Sequence, residues 1–120
     1  MTYENGCAGP AREVIDMESA LGQVAGDADL LSELIGIFID ELEKRLVEIG
    51  DALDGNDLIN VKTASHKLKG SAGNIFAGKI SSLAAEIERY AINSEPDYAR
   101  EKFDSLRIEA DNFIKWAETR

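Results

Sequence analysis

The chain has 120 residues, and its 13 Lys and Arg against 23 Asp and Glu give a formal net charge of −10. This length allows one domain, and 44% hydrophobic with 30% charged residues is the composition of a folded globular chain. No apolar run approaches the roughly 18 residues that a bilayer-spanning helix needs. The negative charge argues against nucleic acid and against a membrane surface as partners.

The chain contains one cysteine, Cys7, and one histidine, His66. These counts exclude an internal disulfide and leave too few ligands for a structural zinc site, so we predict no bound metal. We interpret Cys7 as an idle thiol in a flexible N-terminal segment over residues 1–12, ahead of a single domain over 13–120. The start lacks the pattern of a signal peptide, and we expect a cytoplasmic protein.

Strand signals are nearly absent, and apolar residues recur at helical spacing. A short helix is expected near residues 16–24 and a long one at about 28–54, with Asp27 as N-cap and Gly55-Asn56 as the stop. The apolar stripe of the long helix consists of Leu31, Leu34, Ile35, Phe38, Leu42, Leu46, Ile49 and Leu53.

Three further helices follow. The first of them begins after a predicted N-cap at Asp57, the next near Gly78, and the last at Pro96, which suits a first helical position. Each carries one apolar stripe, and the connections are a few residues long. This pattern predicts an all-α fold, an antiparallel up-down-up-down four-helix bundle with a short extra N-terminal helix.

Acidic residues are missing from one stretch of the chain. Residues 1–57 hold 14 acids and 3 bases and residues 86–120 hold 9 acids and 6 bases, whereas residues 58–85 hold four lysines and no acid. At the average frequency of the chain, about five acids would be expected there. His66 lies inside this stretch, on the side of its helix opposite the apolar stripe, so we predict an exposed imidazole.

The outer face around His66 combines positive charge with bare backbone. Lysines one turn away on either side disfavour the imidazolium form, keep a ring nitrogen free as a nucleophile, and would stabilise a phosphoryl group. A glycine costs a helix interior roughly 0.5–1 kcal/mol relative to alanine but lets a partner come close. The face consists of Ile59, Lys62, Thr63, His66, Lys69, Gly70 and Gly73.

Residues 64–75 resemble the signature of histidine-containing phosphotransfer (HPt) domains, in which a lysine, a glycine and a small residue follow the histidine three, four and five positions on. The likeness covers all but residues 1–12. It implies that His66 is phosphorylated, at Nε2, that Lys69 stabilises the phosphoryl charge, that Gly70 gives a partner room, and that Ser71 helps to orient the site. It also implies a polar residue near the histidine, here Glu88.

The resemblance implies a phosphocarrier of two-component phosphorelays, which accepts a phosphoryl group from a receiver aspartyl phosphate and passes it to another receiver. We find no ATP-binding motif and expect no enzyme activity, no cofactor, and magnesium on the partner receiver alone. The expected partners are receiver domains of response regulators or hybrid sensor kinases, bound by a monomer. They would dock on Ile59, Lys62, Thr63, Lys67, Gly70 and Gly73, with Met17 or Leu21 at the edge.

Two alternatives stay open. The first is a helical adaptor that binds receivers without carrying phosphate, which would not require His66. The second is the phosphoacceptor module of a chemotaxis-type or hybrid histidine kinase, which would accept phosphate from an ATP-dependent catalytic domain.

One residue departs from the family pattern. Ten positions after the histidine the family often has glycine, whereas this chain has Phe76. Its position about 60° from the middle of the apolar stripe predicts that its ring plugs one end of the bundle. We expect the phosphorylation site to be unaffected.

Overall fold

The computed structural model describes residues 14–120, and the predicted flexible segment 1–12 with Cys7 lies outside them. Within the described residues the chain forms helices and no strands, which confirms the predicted all-α class. The helices are α1 (Met17–Gln23), α2 (Ala28–Asp54), α3 (Leu58–Asn74), α4 (Gly78–Ile92) and α5 (Pro96–Glu118). No helix in this part of the chain is both long and apolar enough to cross a membrane.

Aspartate side chains begin the first three helices. The carboxylate of Asp27 accepts a hydrogen bond from the backbone N–H of Leu30 at 3.0 Å, and that of Asp57 accepts one from Asn60 at 3.2 Å. Asp16 caps α1 in the same way. Each cap satisfies a backbone N–H that the first helical turn leaves without a partner, so the predicted helix starts at 28 and 58 are confirmed.

The first four helices end with a residue in the left-handed backbone region. Ala25, Asn56, Phe76 and Ser94 have φ of 53°, 55°, 61° and 56°. After α3, for example, the N–H of Phe76 donates to the carbonyl of Gly73 at 3.1 Å, and the N–H of the following residue reaches back to Ala72 at 2.9 Å. Glycine is the residue that adopts this conformation without strain, so Phe76 occupies a position at which the backbone favours glycine.

The expectation that the Phe76 ring plugs one end of the bundle rested on a helical wheel that does not apply to this residue. Because α3 ends at Asn74, Phe76 lies in the turn and has no position on the wheel of that helix. Its ring is half-buried and packs against the core, and its carbonyl accepts a hydrogen bond from the backbone N–H of Asp16 at 3.0 Å. Phe76 therefore joins the turn between α3 and α4 to the segment that begins α1.

The four long helices form an antiparallel bundle. Near one end, Phe38 of α2 packs edge-to-face on Phe113 of α5, with ring centroids 5.1 Å apart. At the other end, Asp54 of α2 binds Arg100 of α5 at 3.2 Å. Connections of three residues make the remaining neighbours antiparallel as well. The predicted up-down-up-down bundle with an extra N-terminal helix is confirmed.

The buried residues follow the predicted apolar stripes, except at two positions on α2. Ile35, Leu42 and Ile49 are buried as expected, but Leu34 is exposed. Arg45 is buried instead, and its guanidinium is satisfied by the carboxylates of two neighbours on α2, Glu41 and Glu48. The aliphatic stem of arginine fills space at the edge of a core while its charge remains paired, which the hydrophobic pattern does not reveal.

Candidate functional site

His66 lies in the middle of α3 and points outward. The inner face of this helix buries Val61, Ser65 and Leu68, which fixes the rotation of the helix. As a result the His66 side chain is 65% exposed. The imidazole is therefore open to a second macromolecule rather than enclosed in a pocket.

Glu88, on the adjacent helix α4, binds both His66 and Lys69. Its Oε2 lies 2.8 Å from Nδ1 of His66, and its Oε1 accepts a hydrogen bond from Nζ of Lys69 at 2.8 Å. The Glu88 side chain is only 15% exposed, so packing against the bundle holds the carboxylate in place. One half-buried carboxylate thus binds both the imidazole ring and the lysine.

The Glu88 carboxyl stays ionised although its side chain is largely buried. Burial raises the pKa of this carboxyl, but the hydrogen bonds from Lys69 and His66, with the charges of those groups, outweigh burial and hold the pKa below its usual value. Glu88 is therefore ionised at neutral pH and acts as an acceptor on both oxygens.

An ionised carboxylate selects one tautomer of the imidazole. Because Glu88 can only accept, the hydrogen of a neutral His66 lies on Nδ1, and the lone pair lies on Nε2. Nε2 has no hydrogen-bond partner among the described residues. The exposed nitrogen is thus the nucleophilic one.

The two lysines beside His66 differ from each other in their contacts. The Lys62 side chain is exposed and forms no ion pair with residues 14–120, whereas Lys69 is 37% exposed and already bound to Glu88. The charge pattern along the chain did not show this carboxylate, because Glu88 lies 22 positions from His66 and outside the acid-free stretch. The family resemblance alone pointed to it.

Packing within the described structure does not require glycine at two positions on the outer face of α3. A Cβ built on Gly70 would meet nothing within 4 Å, and one on Gly73 would meet only Oγ of Ser81 at 3.7 Å. Alanine would fit at both positions and would favour the helix. Packing therefore does not exclude alanine at either position, and the predicted approach of a partner to this bare backbone stays a prediction.

The other predicted docking residues also lie on the surface. Ile59 is 75% exposed, and Lys62 and Thr63 are exposed beside it. Lys67 is exposed on the side of α3 that faces α2, where it lines a groove with Thr63. Their part in binding a partner stays a prediction.

Ser71 faces away from the imidazole. Its hydroxyl donates to the carbonyl oxygen of Lys67 at 3.1 Å and lies 3.4 Å from Oε2 of Glu41 on α2. These bonds place it at the interface between α2 and α3. The role expected for Ser71, orienting the site, stays a prediction that no described contact with His66 supports.

The start of α1 borders the same face. Asp16, Lys69 and Gly73 line a shallow groove between α1, α3 and α4. Met17 and Leu21 are half-buried against the core, so each exposes part of its side chain. Across residues 14–120, no group of three or more His, Cys, Asp or Glu side chains is placed to hold a metal ion.

Sequence comparisons match known proteins over much of the chain. Residues 33–116 match the family model described as Hpt domain. The chain is 27% identical over 90 residues to the phosphorelay intermediate protein rdeA of Dictyostelium discoideum, covering 75% of this chain and 35% of that protein. It is 38% identical over 64 residues to the phosphorelay protein LuxU of Vibrio vulnificus, covering 53% and 56%. The chain therefore spans about a third of the first relative and just over half of the second.

A solved structure shows the same fold. The crystal structure of histidine-containing phosphotransfer protein B from Pseudomonas aeruginosa PAO1 matches with a TM-score of 0.82 at 20% identity. The match covers 88% of this chain and 92% of that one. At this identity the likeness bears on the architecture alone.

Proposed function

The chain belongs to the Hpt domain family, and from that premise we propose that His66 carries a phosphoryl group between receiver domains of a two-component phosphorelay. The observation that carries the proposal is an exposed imidazole whose Nδ1 is bound by Glu88 and whose Nε2 is open. The names of the relatives rdeA and LuxU, both phosphorelay proteins, support it.

In the accepting step, the lone pair of Nε2 attacks the phosphorus of an aspartyl phosphate on a receiver. The N–P bond forms as the bond between phosphorus and the aspartate oxygen breaks, and the receiver carboxylate leaves. The hydrogen on Nδ1 stays between the ring and Glu88, so the ring gains positive charge next to a fixed carboxylate. Glu88 thereby stabilises the charge that develops during transfer.

In the donating step, the carboxylate of a second receiver attacks the same phosphorus. Nε2 leaves as part of a neutral imidazole, because Nδ1 has kept its hydrogen. Neither direction requires a proton transfer to or from His66. The chain supplies the nucleophile and its position, while the receiver supplies the reactive aspartate and the magnesium ion.

We expect the Lys69 ammonium to bind the phosphoryl group once that group is attached to His66. Its Nζ is bound to Glu88 in the unphosphorylated state, one helical turn from His66. The phosphoryl oxygens are a second acceptor for this ammonium, and Lys62 adds a further positive charge on the same face. Docking of the receiver is assigned to the surface of Ile59, Lys62, Thr63, Lys67, Gly70 and Gly73, with Ser71 acting at most indirectly.

The test mixes the protein with a phosphorylated receiver and follows a label that is acid-labile and base-stable. The wild-type chain is expected to take up such a label. Because His66 is the only histidine in the sequence, His66→Gln must abolish it, whereas Asn112→Gln on the exposed face of α5 should not. An unlabelled wild type, or a labelled His66→Gln variant, contradicts the proposal.

The same assay separates the two alternatives. An adaptor would bind receivers equally well as wild type and as His66→Gln, and would remain unlabelled. A kinase phosphoacceptor module would be labelled by an ATP-dependent catalytic domain added in trans and not by a phosphorylated receiver. Absence of intrinsic enzyme activity, the cytoplasmic location and the monomeric state stay predictions, the last of which sedimentation measures directly.

A further inference from the structure

A long groove runs between α2 and α5, on the side of the bundle opposite the contact between α3 and α4 that holds His66 and Glu88. Its floor contains Leu46, Gly50 and Phe103. The Phe103 ring lies against Gly50, so closely that a Cβ there would be 3.3 Å from the ring. Val47 and Ile108 rise on the two sides, each 63% exposed. Val47 and Ile108 therefore present apolar surface that the described bundle leaves uncovered, above a floor in which Phe103 belongs to the core.

The rim of the groove is acidic. Five acidic and two basic residues line it. Both bases are engaged, Arg100 with Asp54 and a backbone carbonyl, and Arg107 over the ring of Phe103. Glu43, Asp51 and Asp104 form no ion pair within residues 14–120, so their charges face solvent around the apolar floor. This arrangement favours a cationic ligand with an apolar face.

The dimensions fit one helix of a partner. The lining residues run from 43 to 54 on α2 and from 100 to 114 on α5, which at the α-helical rise is about 17 to 21 Å, or three to four turns. A helix packs naturally into the groove between two antiparallel helices, as the helices of a bundle do. We propose that the groove between α2 and α5 binds a basic amphipathic helix of a partner protein, with the apolar face of that helix on Val47 and Ile108.

Charge complementarity argues against the other two candidate occupants of the groove, a second copy of this chain and its own residues 1–13. A second copy of this chain would bring two acidic rims together, and each copy carries a net charge of −10. Residues 1–13 of the chain itself contain two acids and one base, so they lack the complementary charge. No lining residue belongs to α3 or α4, so a helix bound in the groove leaves His66 free for a receiver.

The test uses the full chain and a synthetic peptide of about four helical turns, with leucines on one face and lysines on both flanks. Binding is followed by titration calorimetry and by amide shifts in NMR spectra. A matched peptide with glutamates in place of the lysines measures the contribution of charge. The groove variant is Val47→Ser with Ile108→Ser, and the control is Ile37→Ser with Ile92→Ser, whose side chains are 64% and 60% exposed but do not line the groove.

We expect the lysine peptide to bind and to shift amides of α2 and α5, with an affinity that falls as salt is raised. The groove variant should weaken binding about tenfold or more, and the control variant should bind as the wild type does. Equal binding by both variants, equal binding of the glutamate peptide, or shifts centred on His66 would overturn the proposal. So would a wild-type dimer that the groove variant dissociates, since the occupant would then be a second copy.

Discussion

Nδ1 of His66 lies 2.8 Å from Oε2 of Glu88, although 22 positions separate the two residues in the chain. The second oxygen of the same carboxylate binds Lys69 at 2.8 Å. His66 and Lys69 thus share one half-buried carboxylate, that of Glu88. Substitutions at these three residues should therefore affect transfer more than they affect folding.

Glu88→Gln should slow phosphorylation of His66 by about 10- to 100-fold, by analogy with metal-binding histidines that lose the group orienting the ring. A glutamine amide both donates and accepts, so it no longer dictates which ring nitrogen carries the hydrogen. The label uptake rate measures the effect, and ¹⁵N spectra of the imidazole report the tautomer. The control is Glu86→Gln on the same helix, where the carboxylate pairs with Lys102 at 3.7 Å. Transfer by Glu88→Gln at the wild-type rate would show that Glu88 does not position His66.

Lys69→Ala should slow transfer while leaving the melting temperature nearly unchanged. The pair with Glu88 is partly exposed on the lysine side, and such pairs contribute no more than about 1 kcal/mol to the free energy of unfolding. Transfer rates and thermal unfolding are measured on the same preparation, with Lys115→Ala on the exposed surface of α5 as the control. If stability and transfer fell together, the lysine would be a structural residue.

The stability of the bundle should depend on pH through Glu88. Although burial alone would raise it, the pKa of Glu88 is held below its ordinary 4.5 by Lys69 and His66. The native carboxylate therefore stays ionised where the unfolded one binds a proton. Its contribution to the free energy of unfolding is complete above about pH 4.5 and is lost as the pH falls below that value. Urea unfolding at several pH values should show a steeper loss for the wild type than for Glu88→Gln, and parallel curves would contradict this account.

Ser65→Ala should raise the free energy of unfolding by about 1 kcal/mol. The Ser65 hydroxyl is fully buried, and it meets no hydrogen-bond partner in the described part of the molecule. Removing the hydroxyl removes the free-energy cost of burying a polar group that has no hydrogen bond. Alanine is also the better helix former. Ser71→Ala, which removes a bonded hydroxyl, provides the contrast in the same urea titration. A loss of stability in Ser65→Ala would mean that the hydroxyl is satisfied in solution.

Phe76→Ala should be less stable than Phe76→Gly by about 1 kcal/mol. Both variants lose the half-buried ring, but the φ of 61° strains alanine and not glycine. Urea unfolding of the two variants isolates the backbone term, because the lost packing is nearly common to both. Transfer should proceed normally in both. A strong loss of transfer in Phe76→Gly without a loss of stability would show that this ring belongs to the functional site.

Several features follow from rules that act within a few residues of the chain. Asp27 and Asp57 start helices because their carboxylates reach N–H groups three positions on. His66 points outward because its helix must bury one apolar face. The same rules were wrong for Leu34 and Arg45, since hydropathy does not register that a paired arginine can line a core through its stem.

The sequence by itself determined the helices, their antiparallel order and the exposure of the one histidine, because periodicity, caps and short connections are local properties. The tertiary structure alone decided that one carboxylate, that of Glu88, binds both His66 and Lys69, and that α2 and α5 leave a groove with an acidic rim. These relationships depend on how separate helices pack against one another. That packing is set by the shapes of side chains from all the helices, so it cannot be inferred from any one segment of the chain.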